Sequence, residues 1–300
     1  MHAPTPSALA LADHCLGRAD TVICLHSSTG SQAQWRPLVQ ALTPRWQALA
    51  LDLYGHGRSP AWPADAPNTL DVDAATVLAL MQGLDDGDEP SRGVHLVGHS
   101  YGAAVALRVA MRQPQRVRSL TLYEPVVFGL LPATAGEYPV RHEIVDIALS
   151  VGALVKAGAL ADAARVFVGY WGGPRAWGGM NEAQQATVLH RIATVPRHFE
   201  ALFAATWHLR QLRRLQMPVL LLQGSNTRAP ARRVTELLLQ ALPQAQGRVI
   251  AGAGHLGPIT HAEPVLAAMR AHLDPGSMLP APLPSTAPGA SRAAMIPAEA

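Results

Sequence analysis

Six short apolar runs alternate with helix-length segments, and this alternation restricts the possible fold more than any other feature. The runs are nearly continuous in Val, Ile and Leu, as in strands covered by helices on both faces. They occupy residues 21–26, 47–52, 93–98, 119–123, 218–223 and 247–252. Helical periodicity marks residues 33–43, 70–84, 101–112, 230–242 and 262–273. The pattern predicts an α/β fold with a mostly parallel sheet and ligand chemistry at the carboxyl ends of its strands.

The alternation breaks once, between residues 129 and 213, where only helical patterns occur. They cover residues 141–157, 159–170, 182–193 and 196–211. We predict a helical cap at 129–213 over a core formed by 1–128 and 214–274, because insertions this long in compact domains tend to be functional. The alternative is that these helices simply pad the sheet. Residues 275–300 are rich in Pro, Ala and Ser without apolar periodicity, which predicts a disordered tail.

Composition excludes several classes of protein. Of 300 residues, 49% are hydrophobic and 15% charged, which is sufficient for a large core and atypical of disordered chains. No apolar run reaches about 18 residues, so we expect no membrane span. The net charge is only +3 and no run of basic residues occurs, so nucleic acid is not an expected partner. Cys15 and Cys24 cannot form a disulfide framework, and the N-terminus lacks a basic signal segment. These features favour a cytoplasmic protein of enzyme size, and none of them indicates its oligomeric state.

The segment Gly98-His99-Ser100-Tyr101-Gly102 is the strongest functional signal. It lies between an apolar run and a helical stretch, where a tight strand-to-helix turn would hold the Ser100 hydroxyl out at the sheet edge. Small residues two before and two after the serine avoid collision with neighbouring backbone. The alternative is an ordinary glycine-rich turn. We predict that Ser100 is a nucleophile.

A serine hydroxyl needs an adjacent base, because it is a weak nucleophile at neutral pH. His255 is the best candidate, since it follows the last strand pattern on a glycine-rich loop. The spacing of His95 and His99 could suggest a metal site, but no cysteine or carboxylate completes one, so we expect no metal. The other histidines considered as bases were His26, His56, His95 and His99.

The motifs together resemble the α/β-hydrolase superfamily. The resemblance covers residues 20–273 and rests on Leu25-His26-Ser27-Ser28, Asp52-x-x-Gly55-x-Gly57-x-Ser59, the Ser100 turn and Gly254-His255. It implies an eight-stranded, mostly parallel sheet with a cap after the sixth strand, although the sequence itself shows only six strands. It also implies a Ser–acid–His triad without a cofactor, with Ser100 as nucleophile and His255 as general base.

The acid of this triad departs from the family pattern. Members usually carry an Asp shortly after the strand that corresponds to 218–223, but the only carboxylate between Pro218 and Gly254 is Glu236, inside a predicted helix. Some members take the acid from the end of the preceding strand, where this chain has Glu124. We predict Glu124 as the acid, with Asn226 as the alternative that would orient the imidazole.

The oxyanion hole would be formed by backbone amides, because a tetrahedral intermediate carries negative charge on oxygen. By resemblance, the donors are the amides of Tyr101 and Ser28. His26 is interpreted as structural. This chain has Ser27 where relatives commonly have Gly, which distinguishes this loop.

These residues predict a cofactor-independent serine hydrolase that cleaves a small-to-medium carboxylic ester. Its partner would be a small-molecule ester or acyl substrate. Thioester, amide or C–C cleavage and acyl transfer remain open on the same scaffold. A non-catalytic binding protein is the rival from another class, and the missing carboxylate after residue 223 is its main support.

Overall fold

The computed structural model describes residues 20–43, 45–84, 93–134, 136 and 138–274. In this part of the chain, six strands form one parallel sheet in the order β2-β1-β3-β4-β5-β6. The strands are β1 (Thr21–Leu25), β2 (Gln47–Leu51), β3 (Val94–His99), β4 (Val117–Tyr123), β5 (Val219–Gly224) and β6 (Ala245–Ile250). Each overlaps one predicted apolar run, so the expected α/β fold with a parallel sheet is confirmed.

Helices cover both faces of the sheet, which explains why the strands lack polar alternation. Along β1, Ile23 and Leu25 belong to one hydrophobic cluster, whereas Val22 and Cys24 belong to a second cluster on the opposite face. The helices outside the insertion are α1 (Arg36–Leu42), α2 (Leu70–Gly83), α3 (Tyr101–Arg112), α9 (Ala229–Ala241), α10 (Gly257–Thr260) and α11 (Ala262–Leu273). Helices α2, α3 and α9 contribute to the first cluster, and α1 and α11 to the second.

Strand order reverses at β1, which has β2 on one side and β3 on the other. In open parallel sheets, such a switch point leaves a crevice at the carboxyl ends of the strands. The register aligns these ends, because Leu25 pairs with Gly98 and His99 pairs with Tyr123. The loops that follow β1, β3 and β4 therefore begin at the same edge of the sheet.

A helical insertion connects β4 to β5. It contains α4 (Tyr138–Lys156), α5 (Leu160–Gly172), α6 (Glu182–Arg191), α7 (Val195–Ala204) and α8 (Leu209–Leu212). The continuous helix predicted at 196–211 is two helices, because Ala205 has extended backbone angles (φ −64°, ψ 120°) and ends α7. Buried residues of the insertion belong to the same hydrophobic cluster as α2 and α3, so the insertion packs directly onto the sheet-covering helices.

The sheet differs from the family expectation in two respects. Six strands rather than eight lie in the described residues, and the insertion follows the fourth of them rather than the sixth. Residues 1–19 and the predicted disordered tail at 275–300 lie outside the described residues. The eight-strand count, the cap position and the domain boundaries therefore stay predictions.

Candidate active site

Ser100 lies at the turn between β3 and α3 with φ +56° and ψ −116°. Its amide donates to the carbonyl of Tyr123 (2.9 Å), which ties the turn to β4. A Cβ on Gly98 would lie 2.5 Å from the Cα of Ala103, and a Cβ on Gly102 would lie 2.4 Å from the carbonyl oxygen of Leu25. Both glycines are therefore required by close backbone approach, as the sequence pattern indicated.

The side chains of Ser100, His255 and Glu124 form one hydrogen-bonded chain. The Oγ of Ser100 lies 2.8 Å from Nε2 of His255, and Nδ1 of His255 lies 2.7 Å from Oε2 of Glu124. All three residues are buried, with exposed fractions of 6%, 4% and 0% respectively. A buried Glu124 carboxylate that accepts from Nδ1–H leaves Nε2 as the hydrogen-bond acceptor that faces the serine hydroxyl. The arrangement can take the hydroxyl proton as the oxygen attacks an electrophile.

Glu124 reaches this position because it is the first residue after β4. Its amide donates to the carbonyl of Leu222 (2.8 Å), and its backbone has φ +42°. The second carboxylate oxygen, Oε1, accepts from the amide of Gly224 at the end of β5 (2.9 Å). The side chain of Asn226 donates instead to the carbonyl of Gly252 (2.9 Å) and forms no hydrogen bond with His255. Of the two candidates from the sequence, the structure brings only Glu124 to the imidazole.

Backbone strain concentrates at these loops. In the described part of the chain, the only non-glycine residues with positive φ are Thr29, Ser100 and Glu124. Such conformations cost about 1–3 kcal/mol each and persist where the surrounding structure enforces them, which is common at functional sites.

The four histidines considered as alternative bases have other partners. His26 donates through Nδ1 to the carbonyl of Ser27 and accepts through Nε2 from the amide of Leu53. Nδ1 of His95 lies 2.7 Å from the hydroxyl of Ser119, its pairing partner on the neighbouring strand β4. Burial lowers the pKa of His26 to about 4, of His56 to about 3 and of His95 to about 4, so these rings are neutral at pH 7.

His99 supports the loop of His255 rather than acting on the serine. Its Nε2 donates to the carbonyl of His255 (2.8 Å), and its Nδ1 accepts from the side-chain amide of Gln34 (3.0 Å). The ring thus fixes the backbone of the residue that carries the candidate base.

The loop 27–30 after β1 carries the proposed oxyanion donor. Three of its four amides are engaged by Gln34, by His56 and by the carbonyl of Ser27. The amide of Ser28 has no hydrogen-bond partner among the described residues, and neither has the amide of Tyr101, the first residue of α3. Both amides are therefore available to a ligand, as the proposed hole requires.

The Asp52 motif is architectural. Its carboxylate accepts from the amides of Gln32 (2.8 Å) and Arg58 (3.0 Å), and so joins the loop after β1 to the loop after β2. A Cβ on Gly57, which has φ +55°, would lie 2.1 Å from this carboxylate.

The insertion contributes residues to the site that were not predicted from the sequence. Trp171 of α5 stacks on His255, and His198 of α7 contacts Ser28. Trp171 lies in the aromatic, glycine-rich stretch 170–174, and that stretch is the sequence signal that could have indicated it. His198 carries no motif and becomes visible only when α7 is placed.

No group of three or more His, Cys, Asp or Glu residues in the described ranges could hold a metal ion. Within the same ranges, no helix is both long and apolar enough to cross a membrane.

A sequence profile described as the alpha/beta hydrolase fold matches residues 20–262. The chain is 40% identical over 106 residues to the lipase LipV of Mycobacterium tuberculosis, which covers 35% of this chain and 37% of LipV. It is 39% identical over 113 residues to the dihydrolipoyllysine-residue acetyltransferase component of the acetoin cleaving system of Cupriavidus necator, covering 38% of this chain and 28% of that protein. These matches thus span only about a third of each relative's length.

Solved structures show the same fold at low sequence identity. The enol-lactonase from Burkholderia xenovorans LB400 superposes with a TM-score of 0.67 at 19% identity, covering 86% of this chain and 92% of the enol-lactonase. At this identity the likeness concerns the fold alone.

Proposed function

The chain belongs to the alpha/beta hydrolase family, and we propose that it is a cofactor-independent serine hydrolase of carboxylic esters. The observation that carries the proposal is the continuous hydrogen-bonded chain from the Oγ of Ser100 through His255 to Glu124, at 2.8 and 2.7 Å. Its direction matches the path a proton takes during acyl transfer. Support comes also from the names of two proteins similar to this chain, a lipase that matches it in sequence and an enol-lactonase that matches it in fold, since both names denote hydrolysis of esters.

Acylation begins when the Oγ of Ser100 attacks the ester carbonyl carbon and Nε2 of His255 takes the hydroxyl proton. The carbonyl oxygen becomes an oxyanion, which accepts hydrogen bonds from the amides of Ser28 and Tyr101. The imidazolium then gives its proton to the leaving alkoxide, and an acyl-enzyme with free alcohol results. Glu124 accepts from Nδ1–H throughout, which fixes the tautomer and stabilises the imidazolium.

Deacylation repeats these steps with water. His255 takes a proton from the water as its oxygen attacks the acyl carbon, and then returns that proton to Ser100 as the carboxylic acid leaves. The helical insertion, which we propose as the cap at 129–213, would enclose the acyl or alcohol group, since Trp171 of α5 covers the ring of His255. This enclosure favours an ester of small to medium size.

The rival proposal, a non-catalytic binding protein, rested on the missing carboxylate after β5. Glu124 supplies a carboxylate to His255 from β4, which favours the hydrolase. A binding protein would also have no need for a strained serine at a turn between two required glycines.

Labelling with a fluorophosphonate probe tests the proposal, because the probe reacts with activated serines. We expect the wild-type protein to carry one adduct at Ser100, found by peptide mass spectrometry, and to hydrolyse p-nitrophenyl esters of graded acyl length. Ser100→Ala should lose the label and the turnover, whereas Ser150→Ala, an exposed serine on α4, should keep both. Absence of label and of turnover in the folded wild type would refute the hydrolase and favour the binding protein.

A further inference from the structure

Helix α7 of the insertion places one imidazole against both residues of the proposed oxyanion hole. Nδ1 of His198 lies 2.8 Å from the hydroxyl of Ser28. The same ring stacks on Tyr101, with centroids 3.7 Å apart and planes 8° from parallel. His198 is 1% exposed, and burial holds its pKa well below the usual range, so the ring is neutral at pH 7.

A second residue of the insertion holds the same loop by its backbone. Nη1 of Arg191, the last residue of α6, donates to the carbonyls of Thr29 (2.9 Å) and Gly30 (2.7 Å). Thr29 has φ +61°, a conformation that threonine adopts only under constraint. The contact from Arg191 therefore stabilises a loop conformation that the local sequence does not favour.

These contacts determine where the free amide of Ser28 lies relative to the amide of Tyr101. From the core, Tyr101 is held by its hydroxyl, which donates to Asp73 (2.9 Å). The hydroxyl of Ser28 is held by His198 of the insertion. A shift of α7 would therefore move one donor and leave the other anchored to the core.

We propose that His198 and Arg191 are positioning residues of the oxyanion hole, so that the hole is complete only when α6 and α7 are seated on the core. This inference rests on the proposed function and deepens it. Neither residue touches the reacting atoms. Both act through the loop 27–30, because preorganised donors stabilise an oxyanion only when they already occupy their transition-state positions. A displacement of about 1 Å in such a group can cost about 100-fold in rate.

Two substitutions of His198 separate its two contacts. His198→Phe keeps an aromatic ring against Tyr101 and loses the hydrogen bond to Ser28, whereas His198→Asn keeps a hydrogen-bonding group near Nδ1 and loses the stacking. We expect His198→Phe to lower kcat for a p-nitrophenyl ester about 10- to 100-fold, with KM changed less than about threefold. His198→Asn should retain more kcat than His198→Phe. His190→Phe, an exposed histidine on α6, serves as the matched control and should behave as wild type.

A tetrahedral inhibitor distinguishes positioning from general packing. Phenylboronic acid forms a tetrahedral adduct with an active-site serine, and one of its oxygens occupies the oxyanion hole. We expect its affinity to fall in His198→Phe by about the same factor as kcat/KM, which a loss of substrate packing alone would not produce. Ser28→Ala, which keeps the amide, should show the same loss, and the double variant His198→Phe/Ser28→Ala should lose little more.

The outcomes separate this inference from the proposed function. A wild type without Ser100-dependent turnover refutes both. An active wild type whose folded His198→Phe and Ser28→Ala variants keep kcat within threefold refutes the positioning role alone. The thermal midpoint shows whether His198→Phe folds. If it does not fold, Ser28→Ala and Arg191→Met replace it in the test. Unchanged kcat in both of these variants would overturn the positioning role of His198 and Arg191.

Discussion

The indole of Trp171 lies face to face with the imidazole of His255, with ring centroids 3.8 Å apart and planes inclined by 27°. Trp171 is near the end of α5, so the insertion supplies an aromatic face to the candidate general base. Indole faces attract cations, with about 0.5–2 kcal/mol gained at partly desolvated sites. The stack should therefore stabilise the imidazolium that forms while the serine attacks.

Trp171→Ala should lower kcat about tenfold, because the imidazolium loses that aromatic face. Trp171→Phe retains a smaller face and should lose about threefold. Steady-state kinetics with a p-nitrophenyl ester measure both values. Trp177→Phe, which alters a tryptophan of the insertion that makes no ring contact with His255, is the control and should match wild type. Equal kcat in Trp171→Ala and wild type would contradict a role for the stack.

Glu124→Gln should reduce kcat by about 10³- to 10⁴-fold, as expected when the carboxylate of a triad becomes an amide. The glutamine carbonyl can still accept from the amide of Gly224, so we expect a thermal midpoint close to that of wild type. A side-chain NH₂ group facing Nδ1 favours the opposite tautomer, which presents N–H rather than a lone pair to Ser100.

Asn226→Ala is the matched control for this assignment. Its side chain only ties the neighbouring loop to Gly252, so kcat should stay within about threefold of wild type. Loss of turnover in Asn226→Ala together with activity in Glu124→Gln would reverse the assignment of the acid.

The sequence predicted the parts of the molecule that short-range patterns determine. Apolar runs located all six described strands. The signal is strongest for β1 and β3, which are buried throughout because helices cover both faces of the sheet, whereas the edge strands β2 and β6 are half-buried or exposed over most of their length. The turn around Ser100 was recognisable because close backbone approach admits only glycine at positions 98 and 102. Pro125 after Glu124 indicated a strand end and thus the edge where a carboxylate could meet His255.

Contacts between distant segments were not predictable in this way. His198 and Ser28 are 170 positions apart, and their contact depends on how α7 packs across α2 and α3. Helical periodicity places a residue on a face of its own helix but does not determine where the helix docks. The break at Ala205 was missed for a related reason, since no proline or glycine marks the end of α7.

Gly102→Ala should destabilise the protein strongly, because a Cβ there would lie 2.4 Å from the carbonyl oxygen of Leu25 and 2.5 Å from that of His26. Strand β1 cannot retreat, since it is paired with β2 and β3 on its two sides. We expect a loss of about 3 kcal/mol or more in the free energy of unfolding, measured with urea. Gly152→Ala, in α4 with no atom within 4 Å of the new Cβ, should instead gain up to about 1 kcal/mol. Equal stabilities of the two variants would contradict the steric argument.

Asp73 should make a pH-dependent contribution to stability, because burial raises its pKa from an ordinary 3.8 to about 6. Between these values the folded state binds more protons than the unfolded state, so this contribution is fully present below pH 4 and is lost as pH rises through 6. A difference of about 2 pKa units corresponds to about 3 kcal/mol.

Asp73→Asn removes this titration and keeps an oxygen for the amide of Tyr54. The free energy of unfolding of the variant, minus that of wild type, should therefore rise by up to about 3 kcal/mol between pH 4 and 7. The buried histidines contribute to both proteins and cancel in this difference. Urea unfolding at pH 4.5, 5.5 and 7 measures it, with the exposed Asp65→Asn as the control that should show no such change. A difference that is constant over this range would show that Asp73 has the same pKa in both states.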